Sequence, residues 1–142
     1  MAQVVIAYWS ASGNTEAMAA MVAKGVEAAG GTAKVVEMEQ ISASDLEKEA
    51  VFALGCPAMG DEVLEETVVE PFVAEVEKFA SGRKIGLFGS YGWGDGEWMR
   101  NWVEQMQSAG AEVLGGEDAI CTDSPDDEAE AKLLDLGRKL AE

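Results

Sequence analysis

Ser10-Ala11-Ser12-Gly13-Asn14-Thr15 is a run of six small residues, four of which carry a hydroxyl or an amide. It follows an apolar stretch, Val4-Val5-Ile6-Ala7-Tyr8-Trp9, that reads as a strand buried on both faces. It precedes Glu16 to Ala29, which reads as a helix stopped by Gly30-Gly31. A strand-to-helix turn of this composition gathers hydroxyl donors, backbone N–H groups and the positive end of a helix dipole at one point. That is the composition of an anion site, and phosphate is the usual anion. The same residue types also favour simple helix capping, so on this stretch alone both readings stand.

Working outward, the pattern repeats. Residues 33–38 form a second, more polar strand suited to a sheet edge, and Val51 to Gly55 form a third. Ser42 with Asp45 and Ser44 with Glu47 have the spacing of a capping box on a short helix. An acidic stretch, Glu62 to Glu70, leads to a helix in which Pro71 is expected at the first position and Phe72, Val73, Val76, Phe79 and Ala80 face inward. Ile85 to Gly89 is a fourth strand, followed by the loop Ser90-Tyr91-Gly92-Trp93-Gly94-Asp95-Gly96. A helix from Glu97 turns Trp98, Trp102, Met106 and Ala109 to one side. Ala111 to Leu114 opens a fifth strand, resumed at Asp118 to Cys121. Ser124-Pro125-Asp126-Asp127 then starts the last helix, with Ser124 as cap and Pro125 at the first position. Met18, Met21, Val22, Gly25, Val26 and Ala29 give the first helix its apolar stripe; Leu133, Leu136, Gly137 and Leu140 give the last helix its own. Strand and helix alternate five times without linker or repeat, which predicts one α/β domain over 1–142, a doubly wound parallel sheet with helices on both faces. Ligands bind such sheets at the carboxyl ends of the strands, here the loops at 10–15, 56–62 and 90–96.

Composition narrows the function. A net charge of -17, from 10 basic and 27 acidic residues, argues against nucleic-acid binding and for basic protein partners. With no histidine in the chain, Ser-His and Cys-His pairs are excluded. Cys56 and Cys121 form no CxxC pair and are expected to be reduced and buried, with no redox role. No apolar run is long enough to cross a bilayer, and the first strand begins within a few residues of Met1, so no leader and a cytoplasmic setting are expected.

The first loop lacks the GxxxxGK[ST] and GxGxxG spacings, so a nucleoside triphosphate or a dinucleotide is disfavoured against one terminal phosphate held by neutral donors. In the third loop, Trp93 between two glycines suits stacking on a flat ligand, while Gly92 and Gly94 let backbone N–H groups approach its edge. Met59 can cover the other face. A phosphate cradle beside a flat-ring slot is the profile of a phosphorylated flavin.

Three segments carry a family resemblance: Tyr8-Trp9-Ser10 with Gly13-Asn14-Thr15, Gly55-Cys56-Pro57-Ala58-Met59-Gly60, and Leu87-Phe88-Gly89-Ser90-Tyr91-Gly92-Trp93-Gly94. With these the chain resembles the short-chain flavodoxins of the clostridial type over essentially its whole length. The resemblance implies a five-stranded sheet in the order 2-1-3-4-5 and a non-covalently bound FMN. It implies a low-potential electron carrier between redox partner proteins, without substrate turnover of its own. It places the FMN phosphate on Ser10, Ala11, Ser12, Gly13, Asn14 and Thr15. It places the ring between Met59 and Trp93, with Pro57, Ala58, Gly60, Asp61, Glu62, Ser90, Tyr91, Gly92 and Gly94 around it, Glu62 meeting the flavin N3–H. Ala11 stands where the family often has glycine, Ser12 where it often has threonine, and Pro57 where some members have serine. A Gly60–Asp61 peptide able to flip its carbonyl toward flavin N5–H would favour the first one-electron reduction, and the negative field of the chain would oppose the second. Asp61, Glu62, Glu65 and Glu66 are expected to crowd the flavin edge as a docking patch for basic reductases and acceptors, and the chain is expected to be a monomer. Two alternatives fare worse. A signalling receiver domain needs paired acids after strand one and an Asp ending strand three, where this chain has Ser10 and Gly55-Cys56. An FMN-dependent quinone or nitro reductase needs a further segment for a second substrate, which this chain lacks.

Overall fold

The computed structural model describes residues 3–11, 13–59, 63–92, 94, 96–122 and 125–142. Five parallel strands, β1 (Gln3–Tyr8), β2 (Thr32–Glu37), β3 (Val51–Gly55), β4 (Lys84–Tyr91) and β5 (Glu112–Thr122), form one sheet in the order β2-β1-β3-β4-β5. Four α-helices connect or follow them: α1 (Asn14–Ala28), α2 (Val69–Glu77), α3 (Glu97–Ser108) and α4 (Asp127–Ala141). The fold is the doubly wound α/β sheet that the strand–helix alternation predicts.

The unbroken apolar character of β1 follows from burial on both faces. Val5 and Ala7 join Phe52, Leu54, Ile85 and Leu87 in a core with α2 and α3, where Val76, Trp98, Trp102 and Met106 are buried. Val4, Ile6 and Tyr8 point the other way, into a core with Met18, Val22 and Val26 of α1 and Leu133, Leu136 and Leu140 of α4. Alternate residues of one strand thus serve two cores, so every position must be apolar. The more polar β2 lies at an edge, as its composition predicts.

Helices α1 and α4 touch backbone to backbone. A Cβ at Gly25 would stand 2.1 Å from the Leu134 carbonyl oxygen, and one at Gly137 would stand 2.1 Å from that of Val22. Only glycine at both positions permits this approach.

Several boundaries differ from the sequence expectation. Helix α1 begins at Asn14, so Asn14 and Thr15 belong to its first turn; Ala29 is exposed beyond its end and Met21 is only half-buried. Pro71 is the third residue of α2, not the first; a proline is tolerated there because first-turn N–H groups need no intrahelical partner. Val63 forms an isolated bridge with Met59, and only Glu66 to Val68 form a turn that leads into α2. Strand β4 continues through Ser90 and Tyr91, which pair with Cys121 and Thr122 of β5. Strand β5 is unbroken, with a register shift opposite Leu87–Gly89 where the sequence suggests an interruption. The cap of α4 is Asp126, whose side chain accepts from the Ala129 N–H at 2.8 Å, so Pro125 precedes the cap; Ser124 lies outside the described residues. The Ser42–Asp45 capping box is present, on a single 3-10 turn at Ala43–Leu46. Cys56 is buried, whereas Cys121 is half-buried. Among the described residues, no helix is long and apolar enough to cross a membrane.

Candidate functional site

Strands β1, β3 and β4 are neighbours, so their carboxyl ends bring the three predicted loops together. Backbone hydrogen bonds continue the ladder past the strand ends. The Trp9 N–H donates to the Gly55 carbonyl at 3.0 Å, the Cys56 N–H to Phe88 at 3.2 Å, and the Ala58 N–H to Ser90 at 3.0 Å. Gly89 allows this convergence: a Cβ there would lie 2.0 Å from the Cys56 carbonyl oxygen. The indole N–H of buried Trp98 donates to the same carbonyl at 3.3 Å, and the Trp98 ring packs against Tyr91 with centroids 5.4 Å apart.

In the first loop the Gly13 N–H donates to Ser10 Oγ at 3.0 Å, which leaves the Ser10 hydroxyl proton to point elsewhere. Gly13 holds φ at 93° as the N-cap of α1 and, having no side chain, makes no capping bond to the first-turn N–H groups. A glycine is needed because side-chain-bearing residues rarely adopt that backbone. The hydroxyl of Thr15, only 1% exposed, has no hydrogen-bond partner among the described residues. Buried polar groups are normally paired, and an orphan costs about 1–3 kcal/mol. An uncapped helix start beside an unpaired buried hydroxyl fits a bound phosphate, which would accept from both. Ser10 and Asn14 are half-buried and Ala11 is exposed; Ser12 lies outside the described residues.

Below this loop, the Tyr8 hydroxyl donates to Glu16 Oε2 at 3.3 Å. Burial, with the carboxylates of Glu16 and Glu37 nearby, pushes the phenol above its usual range, so it remains a donor.

In the second loop, Met59 and Val63 exchange backbone hydrogen bonds of 2.9 Å in both directions. Pro57, Ala58 and Met59 are half-buried on the ascending limb. Gly60, Asp61 and Glu62 lie outside the described residues. In the third loop Gly92 and Gly94 are exposed, Gly94 with φ at 89°, and Trp93 lies outside the described residues. Ser90 is 4% exposed, so the part it offers the loop is its carbonyl, bound to Ala58.

Glu65 departs from its expected place in an exposed acidic patch. It is 7% exposed, and its carboxylate accepts from the N–H groups of Thr67 at 2.9 Å, Val68 at 2.6 Å and Val69 at 3.1 Å, and from the Thr67 hydroxyl. It therefore caps the start of α2. Burial alone would raise its pKa, but these hydrogen bonds outweigh burial and hold the carboxyl below its usual range. The same residue faces Cys56, whose thiol is pushed up to about 12, chiefly by burial. The Cys56 thiol donates to the Pro57 carbonyl at 3.2 Å and stays protonated. Of the four acids expected to form the docking patch, Glu65 is buried and Glu66 is exposed, while Asp61 and Glu62 lie outside the described residues; Glu70, on α2, is also exposed.

Fold and site define a doubly wound α/β protein with a buried, unpartnered hydroxyl among the described residues of the loop that follows β1. Residues 6–134 match the family model for flavodoxin. The chain is 44% identical to the flavodoxin of Clostridium beijerinckii, covering 96% of this chain and 97% of that one. It is 47% identical to the flavodoxin of Megasphaera elsdenii, covering 92% and 94%. The solution structure of two-electron reduced Megasphaera elsdenii flavodoxin superposes with a TM-score of 0.87 at 45% identity, over 96% of this chain and 98% of that one. The chain belongs to the flavodoxin family. It is an FMN-binding electron-transfer protein that works with redox partner proteins rather than turning over a substrate of its own.

Proposed function

We propose that the FMN phosphate is held by Ser10, Ser12, Asn14 and Thr15 with the backbone of Ala11 and Gly13, at the uncapped start of α1. The flavin ring lies between Met59 and Trp93. Pro57, Ala58, Gly60, Asp61, Glu62, Ser90, Tyr91, Gly92 and Gly94 shape the slot, and Glu62 meets the ring edge. The flavin supplies the one-electron chemistry; the protein sets its affinity, its potential and its access. No side-chain cation belongs to the proposed cradle, so the phosphate keeps its charge. That charge, with the net -17 of the chain, raises the cost of placing a further negative charge on the ring and makes the carrier a low-potential one. The chain acts as a single FMN-binding unit over 1–142, monomeric and cytoplasmic. Basic reductases and acceptors dock on the acids at the flavin edge, Asp61, Glu62, Glu66 and Glu70.

The observation that carries this reading is the buried, unpaired hydroxyl of Thr15. Valine at 15 keeps the shape and removes the donor. A hydrogen bond to a charged group is worth about 1.5–3 kcal/mol, so Thr15→Val should weaken FMN binding roughly ten- to a hundredfold. Riboflavin, which has no phosphate, should bind both proteins alike. Equal FMN affinities in a fluorescence titration would refute the phosphate assignment.

A further inference from the structure

Three ties hold Glu65 in place, and none of them serves the FMN site proposed above. Its carboxylate is saturated by Thr67, Val68 and Val69, so it is locked to the start of α2. Its carbonyl accepts from the Glu70 N–H at 2.9 Å, a second tie to the same helix. It also lies close enough to Cys56, at the base of the ascending limb of the same loop, to act on that thiol. Helix α2 itself is immobilised through Val69, Val73 and Val76, all fully buried.

The descending limb, Val63 to Val68, has no regular secondary structure to stiffen it. Residue 64 is buried and Val63 is paired with Met59. Rigidity therefore passes from α2 through Glu65 to Val63, and across the paired backbones to Met59. A neutral side chain would not serve as well. N–H and O–H donors converge on the carboxylate, and an amide at 65 would direct an NH₂ group at one or more of them.

We propose that Glu65 is a positioning residue that fixes the loop base and, through the Val63–Met59 pair, sets where Met59 stands against the flavin. This rests on the reading that Met59 packs on the ring. Glu65 touches neither substrate nor cofactor, and its single charge acts on the loop rather than on a partner.

The test compares Glu65→Gln with Glu66→Gln, which removes the same charge from an exposed neighbour, and with Met59→Ala. All are made in a Cys121→Ser background, so that Cys56 is the only thiol. In the apoprotein, Glu65→Gln should speed the labelling of Cys56 by a maleimide at least about tenfold, while Glu66→Gln leaves it unchanged. In the FMN-loaded protein, Glu65→Gln and Met59→Ala should both change the separation between the two one-electron midpoint potentials. The expected change is about tenfold in the corresponding equilibrium constant, or about 59 mV. Glu66→Gln should shift both potentials in the same direction and leave their separation as it was. Thr67→Ala keeps the charge, removes one donor and should reproduce both effects at smaller size if Glu65→Gln does not fold. Should Met59→Ala leave the potentials alone, the contact between Met59 and the ring is wrong. Should Met59→Ala move the separation while Glu65→Gln and Thr67→Ala behave like Glu66→Gln, Met59 stays on the ring and the positioning role is lost.

Discussion

Helices α1 and α4 pack against each other on one face of the sheet, yet they begin in opposite ways. Helix α4 starts with the Ala129 N–H answered by Asp126, and Asp127, Glu128 and Glu130 set against the positive end of its dipole. Helix α1 starts on a left-handed glycine that offers no side-chain cap, with a buried hydroxyl at Thr15 that bonds to nothing described. One start has a side-chain cap within the chain. The other holds donors in reserve, at a cost in stability, and that reserve is what a phosphate would use. Two helix starts of similar composition thus carry different duties, and the difference lies in whether the donors are already taken.

The largest blow to this comparison would come from the contact that joins the two helices. A methyl group at 137 would meet Val22 O at 2.1 Å and Val26 N at 2.7 Å, both backbone atoms that cannot rotate away. Gly137→Ala should therefore cost about 3 kcal/mol, the upper end of the usual overpacking range, read as a lowered urea midpoint of the apoprotein. A midpoint equal to wild type would mean that the helices do not approach so closely.

A smaller effect separates the two starts directly. Asp126→Ala should cost the apoprotein about 1 kcal/mol through loss of the α4 cap, with FMN affinity unchanged. Thr15→Val should do the reverse, stabilising the apoprotein by about 1 kcal/mol while weakening FMN binding, because it removes an orphaned hydroxyl. Chemical denaturation of both apoproteins, beside the FMN titration, decides it; a loss of apoprotein stability in Thr15→Val would mean that the hydroxyl is already partnered.

The smallest effect concerns α2, a third start, which takes its cap from Glu65. In the folded chain this carboxyl is held below its usual range, because hydrogen bonds to the carboxylate outweigh burial. The folded state therefore binds the proton less readily than the unfolded state, whose group titrates near 4.5. The stability due to the shift is complete above that value and is lost as pH falls through the lower, folded pKa. The stability difference between wild type and Glu65→Gln should accordingly be flat near neutrality and shrink only below about pH 4.5. A difference that grew on acidification would reverse the sign and refute the depressed pKa.

The strand–helix alternation was readable because each element carries its own period. Val4 to Tyr8 must be apolar at every position to serve two cores, and Leu133, Leu136 and Leu140 must recur at helical spacing to serve one. At Ser10–Thr15 the local sequence leaves an anion site and simple helix capping equally open, and only the other two loops favour the first. Where readings slipped, the deciding neighbour was distant in sequence. Ser90 and Tyr91 look like loop residues until β5 pairs with them. The sequence reading puts the cap of the last helix at Ser124, whereas in the fold Asp126 is the cap.

Glu65 and Glu66 draw the line most clearly. As residues in a chain they are indistinguishable, two acids in an acidic stretch. Composition and periodicity determined the kind of sheet, the positions of its loops and the polar chemistry of the first of them, because those depend on residues a few places apart. Tertiary structure alone decided that Glu65 is buried against Cys56 and α2 while Glu66 faces water, and that the hydroxyl of Thr15 is enclosed without a partner among the described residues. Burial and hydrogen-bond satisfaction are properties of what the folded chain brings close, and no local pattern encodes them.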